Sequence, residues 1–186
     1  MPFTDRSLPA RAAILGAARA RFAADGYDRA TVRAIAADAG VDPSMVMRYF
    51  GSKRQLFARA AEFDLRLPDL TGAPPGHAGH LLAAHLLDRW EGDDGLRILL
   101  RTATTDEDAA ERMRSIFARQ LVPHIAALTG DPATAPARAG LVATQALGTA
   151  LCRYVLRLPP IVAMAPDEIV GWIAPTLQRY LTGAGG

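Results

Sequence analysis

The run Asp42-Pro43-Ser44-Met45-Val46-Met47-Arg48-Tyr49-Phe50 gathers side chains suited to reading the edges of nucleic-acid bases. On a helix turning about 100° per residue, Val46 and Phe50 fall on one side, Ser44 and Arg48 point away from it, and Met45 and Met47 flank them. An outward arginine can donate two parallel hydrogen bonds to guanine, a serine hydroxyl can bond a base or a phosphate, and methionine can cover a thymine methyl group. Tyr49 and Lys53, at the rear of this helix and the start of the next, are placed to hold phosphate. Thr31 and Arg33 are placed likewise, at the amide-rich start of the preceding helix. Phosphate contacts of this kind position a protein without reading sequence.

Such a reading helix needs a short, stiff support, and the flanking residues encode one. Ile14, Ala18 and Phe22 share a face of a first helix over roughly Pro9–Asp25, which Gly26 ends. Thr31 caps a second helix running to about Ala39, with Ile35 and Ala36 or Ala39 inward and Gly40 closing it. Asp42 and Pro43 form the cap and first-turn pair that open the third helix, which ends near Phe50-Gly51. Two short helices joined by a glycine-containing turn have the geometry of a helix-turn-helix.

Ser52-x-x-Gln55 has the form of a capping box, so a fourth helix is expected from there to Leu67, stopped by Pro68. The Pro- and Gly-rich stretch 68–79 is then a loop, and a domain boundary falls around the fourth helix. Further helices are expected over His80–Glu91, Gly95–Thr102, Glu107–Leu128, Ala137–Leu158 and Pro166–Leu181. Pro123 and Pro175 should kink or break two of them. No period-two alternation bounded by hairpin residues argues for a sheet, so the fold class is all-α.

The totals agree with a folded protein of one small and one medium domain: of 186 residues, 50% are hydrophobic and 22% charged. The net charge of +2 hides an asymmetry, because residues 1–60 hold ten Lys and Arg against five Asp and Glu, while the rest hold eleven against fourteen. An anionic partner therefore belongs at the N-terminal end. The longest uncharged apolar stretch, Ala139–Cys152, is too short and too polar to cross a bilayer, and the N-terminus lacks the apolar core of a secretory leader. A cytoplasmic protein is the expectation. The single Cys152 fits a reducing compartment and reads as a small buried hydrophobe.

Other candidates for chemistry carry less. His77 and His80 have helix-compatible spacing but lie in or beside the Pro/Gly-rich loop, and His85 stands apart, with no cysteine or acidic partner nearby; no metal is assigned. Asp106-Glu107-Asp108 with Glu111 is accounted for by its place at a helix start. No nucleophile elbow, zinc-protease motif, phosphate loop or dinucleotide fingerprint is present, so neither an enzyme nor a cofactor is expected. The rival functions are a helical protein-interaction module and a helical enzyme acting on a small molecule.

Residues 13–57 as a whole resemble the N-terminal DNA-binding domain of the TetR/AcrR family of bacterial regulators. The resemblance rests on Phe22-x-x-x-Gly26-Tyr27, Thr31 with Ile35-Ala36, Ala39-Gly40-Val41, and Tyr49-Phe50-x-Ser52-Lys53 followed by Leu56-Phe57. Two positions depart from the family habit: Met47 stands where an aromatic, usually Tyr, is common, and Asp42 where Ser or Thr is usual.

The resemblance implies a helix-turn-helix domain over 1–52 and a larger helical domain over 53–186 for ligand binding and dimerisation. It implies a homodimer on a pseudo-palindromic operator in double-stranded DNA, most simply a repressor released by a small-molecule inducer; an activator without a ligand is the alternative. It also implies a dimer seam built from the last two long helices. Ala143, Ala146 and Gly148 would let one of these approach closely, and Ile169, Trp172, Ile173 and Leu177 lie on the other. Pattern alone reads the same residues equally well as core. For the pocket, Trp90, Met113, Phe117 and His124 are the candidates, since they mix apolar surface with a few polar atoms in the middle helices. A Met and Phe stripe at helical spacing is also what a plain core looks like.

Overall fold

A computed structural model describes residues 7–183; residues 1–6, part of the stretch read for a leader, and the last three of the Gly-Ala-Gly-Gly end lie outside them. Regular structure among the described residues is helical throughout. In chain order the helices are α1 (Ser7–Arg29), α2 (Val32–Asp38), α3 (Pro43–Phe50), α4 (Lys53–Ala60), α5 (Ala78–Gly92) and α6 (Asp94–Thr102). They continue with α7 (Glu107–Ile116), α8 (Val122–Thr129), α9 (Ala135–Ala150), α10 (Pro159–Ala163) and α11 (Pro166–Thr182). Wider π-turns over Phe117–Leu121 and Leu151–Val155 join α7 to α8 and extend α9.

The chain packs as two compact units, one of residues up to Phe63 together with Asp94–Ala109, the other of Asp64–Asp93 and everything from Ala110 on. In the first, Ile14, Ala18 and Phe22 are fully buried, as their four-residue spacing requires. Gly26 then takes φ 77° and ψ 175°, a conformation that a residue with a Cβ resists, and interrupts α1. The turn swings Tyr27 against Phe57 of α4 and Phe22, with ring centroids 5.0 and 6.1 Å apart. Phe22 and Phe57 meet edge to face at 5.1 Å, so the signature residues of the sequence form one aromatic cluster.

Both α4 and α6 pack on α1, which is why the packing unit follows different lines from a cut at residue 52. From α6, Leu96, Ile98 and Leu99 are buried, and Arg101 donates to the Ala24 carbonyl at 3.2 Å. The acidic run at the head of α7 acts as expected of a helix start: Asp106 accepts from the Ala109 amide at 2.9 Å. Asp108 additionally pairs with Arg54 of α4.

In the second unit α5 and α11 approach most closely. A Cβ on Gly79 would lie 2.4 Å from the Gln178 amide nitrogen and 2.5 Å from the Ala174 carbonyl oxygen, so only hydrogen fits. The Gly79 amide donates to Gln178 Oε1 at 2.7 Å, satisfying one of the unpaired donors at the start of α5. Leu82, Leu86, Ile169, Ile173, Leu177 and Leu181 are buried, forming part of this unit's core.

Several expectations need correction. The fourth helix stops at Ala60 rather than Leu67, because the backbone beyond it is claimed by side chains. The Leu65 amide donates to Gln120, His85 donates to the Leu65 carbonyl at 2.8 Å, and Arg89 donates to the Asp64 carbonyl at 2.7 Å. Arg66 is held at φ 46°. The capping box is half formed: Ser52 Oγ accepts from the Gln55 amide at 3.1 Å, but the Ser52 amide bonds the Phe50 carbonyl.

α11 runs unbroken through Pro175; the Gly171 carbonyl that Pro175 leaves without its helical donor is on an exposed residue, where water can bond it. Pro123 sits in the first turn of α8, directly after a π-turn, where a missing amide costs little. The short helix α10 was not anticipated. Cys152 is half-buried rather than buried, since it lies in a π-turn none of whose residues is buried. No helix among the described residues is long and apolar enough to cross a membrane.

Candidate nucleic-acid interface

Helix α3, the second of the helix-turn-helix, is short, and each end of it is fixed by local chemistry. At its start Asp42 Oδ1 accepts from the Ser44 amide at 2.8 Å, and Pro43 occupies the first turn. Hydrogen bonding from Ser44, by its side chain and then its amide, holds the Asp42 carboxyl below its ordinary value. Val46 and Phe50 are buried and anchor α3 to its unit. That anchoring turns Ser44, Met47 and Arg48 outward, with Met45 half-buried on the flank.

Arg48 does not wave freely in solvent. Its guanidinium lies 5.0 Å from the centre of the Tyr49 ring and donates to the Tyr49 hydroxyl at 3.2 Å. Stacking of this kind narrows the rotamers a long side chain explores and lowers the ordering cost of a later contact. α2 carries Arg33 exposed, and Thr31 caps it by accepting from the Ala34 amide at 3.1 Å. Capping uses an acceptor lone pair of Thr31, which leaves its hydroxyl proton to donate.

Lys53 has work that its position in the sequence did not disclose. Its ammonium sits 4.5 Å over the Tyr27 ring and donates to the Asp28 carbonyl at 3.3 Å, bracing the turn at Gly26. An ammonium has three donors, so this engagement leaves others to bond a phosphate. Arg21 of α1 pairs with Asp38 at the end of α2, holding that carboxyl below the usual range. This pair fixes α2 against α1.

Two features of the first unit escaped the sequence. The Arg11 guanidinium lies 5.6 Å over the Phe50 ring, at the C-terminal end of α3. A polar cleft of about 410 Å³ is lined by Asp25, Tyr27, Asp28, Arg29, Arg101 and Asp106 among others. Both join residues far apart in the chain, and no local spacing signals them.

The pocket candidates of the second unit have unlike surroundings. Trp90 is buried in α5 and meets Tyr154 edge to face at 6.5 Å. Burial, then the charge of Glu91, pushes the Tyr154 hydroxyl up from its ordinary value. Met113 and Phe117 are half-buried along α7 and the π-turn that follows it. His124 is half-buried too, with its Nε2 shielded from solvent and lacking a hydrogen-bond partner.

The last helices also divide unevenly. Ile169, Ile173, Leu177 and Ala146 belong to the chain's own core, whereas Trp172 is 73% exposed and Leu141 48%. Gly148 is exposed, with nothing within 4 Å of where a Cβ would stand.

Residues 77–181 match the family model of the tetracyclin repressor-like C-terminal domain, and residues 14–60 that of the bacterial regulatory proteins of the tetR family. Among solved structures, a TetR-family regulator from Streptomyces coelicolor is 26% identical, covering 97% of this chain and 99% of its own, with a TM-score of 0.58. A TetR-like transcriptional regulator from Rhodococcus sp. RHA1 has a TM-score of 0.70 at 20% identity, covering 94% and 97% of the two chains. NalD, the secondary repressor of the MexAB-OprM multidrug efflux pump in Pseudomonas aeruginosa, has a TM-score of 0.69 at 21% identity, covering 96% and 98%. The last two likenesses speak to the fold alone. No curated protein matches the sequence.

Proposed function

Because this chain belongs to the TetR family of bacterial regulators, we propose that its activity as a DNA-binding transcriptional regulator is that of a cytoplasmic repressor, homodimeric and released from its operator by a small molecule. It is a binding protein and not an enzyme. The observation that carries the DNA half is the geometry of α3: Val46 and Phe50 buried, with Ser44, Met47 and Arg48 turned outward on one short, capped helix.

In this reading Arg48, Ser44, Met45 and Met47 meet base edges, while Thr31, Arg33, Tyr49 and Lys53 hold phosphates. Residues 1–52 form the DNA-binding domain and 53–186 the regulatory one. Two heads then take half-sites about 34–36 Å apart, one helical turn of DNA. The exposed Trp172, Leu141 and Gly148 on α11 and α9 support the seam between two copies. The match of residues 77–181 supports the ligand half, with Trp90, Met113, Phe117 and His124 as the residues to test first. A ligand releases DNA only by its differential affinity for the two head spacings.

Selection of bound duplexes from a randomised pool, followed by salt titration, tests the reading. The expected product is a two-half-site sequence whose affinity falls steeply as salt rises. Binding to duplex that ignores both sequence and salt would overturn it in favour of a protein-interaction module.

A further inference from the structure

Among the described residues Met47 is the one methionine with more than a third of its surface exposed, at 45%. It stands on one flank of the outward face of α3, a turn after Ser44, with the half-buried Met45 on the opposite flank. Methionine in a core is shielded from oxidants; a thioether facing solvent is not. We infer that Met47 is an oxidation site, and that its conversion to the sulfoxide lowers affinity for the operator. The inference rests on the proposal that α3 enters the major groove.

The chemistry needs only a two-electron oxidant, of which hypochlorous acid is the fast-reacting example. The thioether sulfur gives a lone pair to chlorine as the O–Cl bond breaks. Oxygen from water then forms the S–O bond and chloride departs with the electron pair lost by sulfur; one proton of that water neutralises the hydroxide released from hypochlorous acid, and the other passes to solvent. Sulfur is oxidised by two electrons and chlorine reduced to chloride.

The product opposes binding for two physical reasons. The sulfoxide replaces an apolar, polarisable surface that can cover a thymine methyl with a strong hydrogen-bond acceptor. The groove it would enter presents acceptors at guanine N7 and O6, adenine N7 and thymine O4 against donors only at adenine N6 and cytosine N4, and lies between phosphates. Duplex seated on α3 also covers the sulfur, so oxidation falls on unbound protein and then delays its return. Methionine sulfoxide reductases, one for each sulfoxide epimer, reverse the modification. The fold itself stays intact, since Val46 and Phe50 rather than Met47 anchor the helix.

The experiment uses the full chain carrying Cys152→Ala, so that the thiol consumes no oxidant, and the duplex which the unoxidised protein selects from a randomised pool. Hypochlorous acid is added with and without that duplex; peptide mass spectrometry locates the sulfoxide and fluorescence anisotropy reads affinity. We expect oxygen at Met47 ahead of Met113 and Met164, protection by the duplex, and an affinity loss of about tenfold, the size of one lost base contact. Each protein is compared with itself before and after oxidant: Met47→Leu should keep whatever affinity it starts from, and the two reductases should restore the oxidised parent. Unchanged affinity with Met47 fully oxidised, or an equal loss in Met47→Leu, overturns the inference while leaving the DNA reading standing. Failure of the unoxidised protein to select any duplex overturns the DNA reading itself.

Discussion

The outward face of α3 and the outward faces of α9 and α11 each show water a large apolar side chain, and they differ in its company. Met47, 45% exposed, flanks a face that shows the Ser44 hydroxyl and the Arg48 guanidinium already stacked on Tyr49. Trp172, 73% exposed, is flanked by the exposed Gly171 and Pro175 on α11, and α9 shows Leu141 and the bare Gly148. The first arrangement suits a partner that is itself part apolar and part acceptor, as base edges are. The second shows an indole, a leucine and a bare glycine, with the exposed Glu168 and Thr144 a turn away from Trp172 and Leu141, and suits another largely apolar surface brought close. Exposure alone does not name a partner; the polarity of the neighbours does.

Placing a charge on the apolar face gives the largest expected effect. Trp172→Asp should yield monomers in analytical ultracentrifugation and cost a two-half-site duplex about 10²-fold or more in affinity, because linked heads gain roughly 10²–10⁴ from acting together. A variant that stays dimeric would erase the contrast between the two faces.

On the polar face, Arg48→Ala should cost about 1–3 kcal/mol and relax preference at one base position in a repeat of the duplex selection. Unaltered preference would move the reading role to another residue of α3. Lys53→Ala sharpens the distinction between reading and holding. All sequences should weaken alike, and the slope of log affinity against log salt should shrink by about 1. Its hold on the Tyr27 turn adds a loss of thermal stability that Arg48→Ala should not share.

The smallest effect concerns the cap that aims α3. The Asp42 carboxyl is held below its ordinary 3.8 by Ser44, so the charged form is favoured by folding. Its contribution is complete above pH 3.8 and is lost as pH falls through the lower folded value. Asp42→Asn keeps an acceptor with no proton to gain, so thermal melts between pH 5 and pH 3, a window set around that ordinary value, should decline less steeply than in the parent chain.

What could be read from residues alone follows the same division. Thr31, Asp42 and Ser52 cap within three residues of themselves, and Val46 with Phe50 is one turn of one helix, so the helix-turn-helix was legible from local spacing. The end of α4 was not, because it is set by Gln120, His85 and Arg89, which are distant in sequence. Nor could periodicity separate Ile173, which is core, from its neighbour Trp172, which is surface, on a helix whose apolar residues crowd both sides. Lys53 shows a subtler shortfall: its position was read, but the ring beneath it follows only from the bend at Gly26.

The pairing of α1 with α6 bears on how such a protein can be inherited and recombined. A gene fusion carrying only the first sixty-odd codons would transplant the helix-turn-helix without Leu96, Ile98 and Leu99, and leave bare the side of α1 against which α6 packs. The head is therefore not a portable cassette: to travel intact it must bring a helix encoded some thirty codons downstream, and with it the stretch Asp64–Asp93 that belongs to the second packing unit.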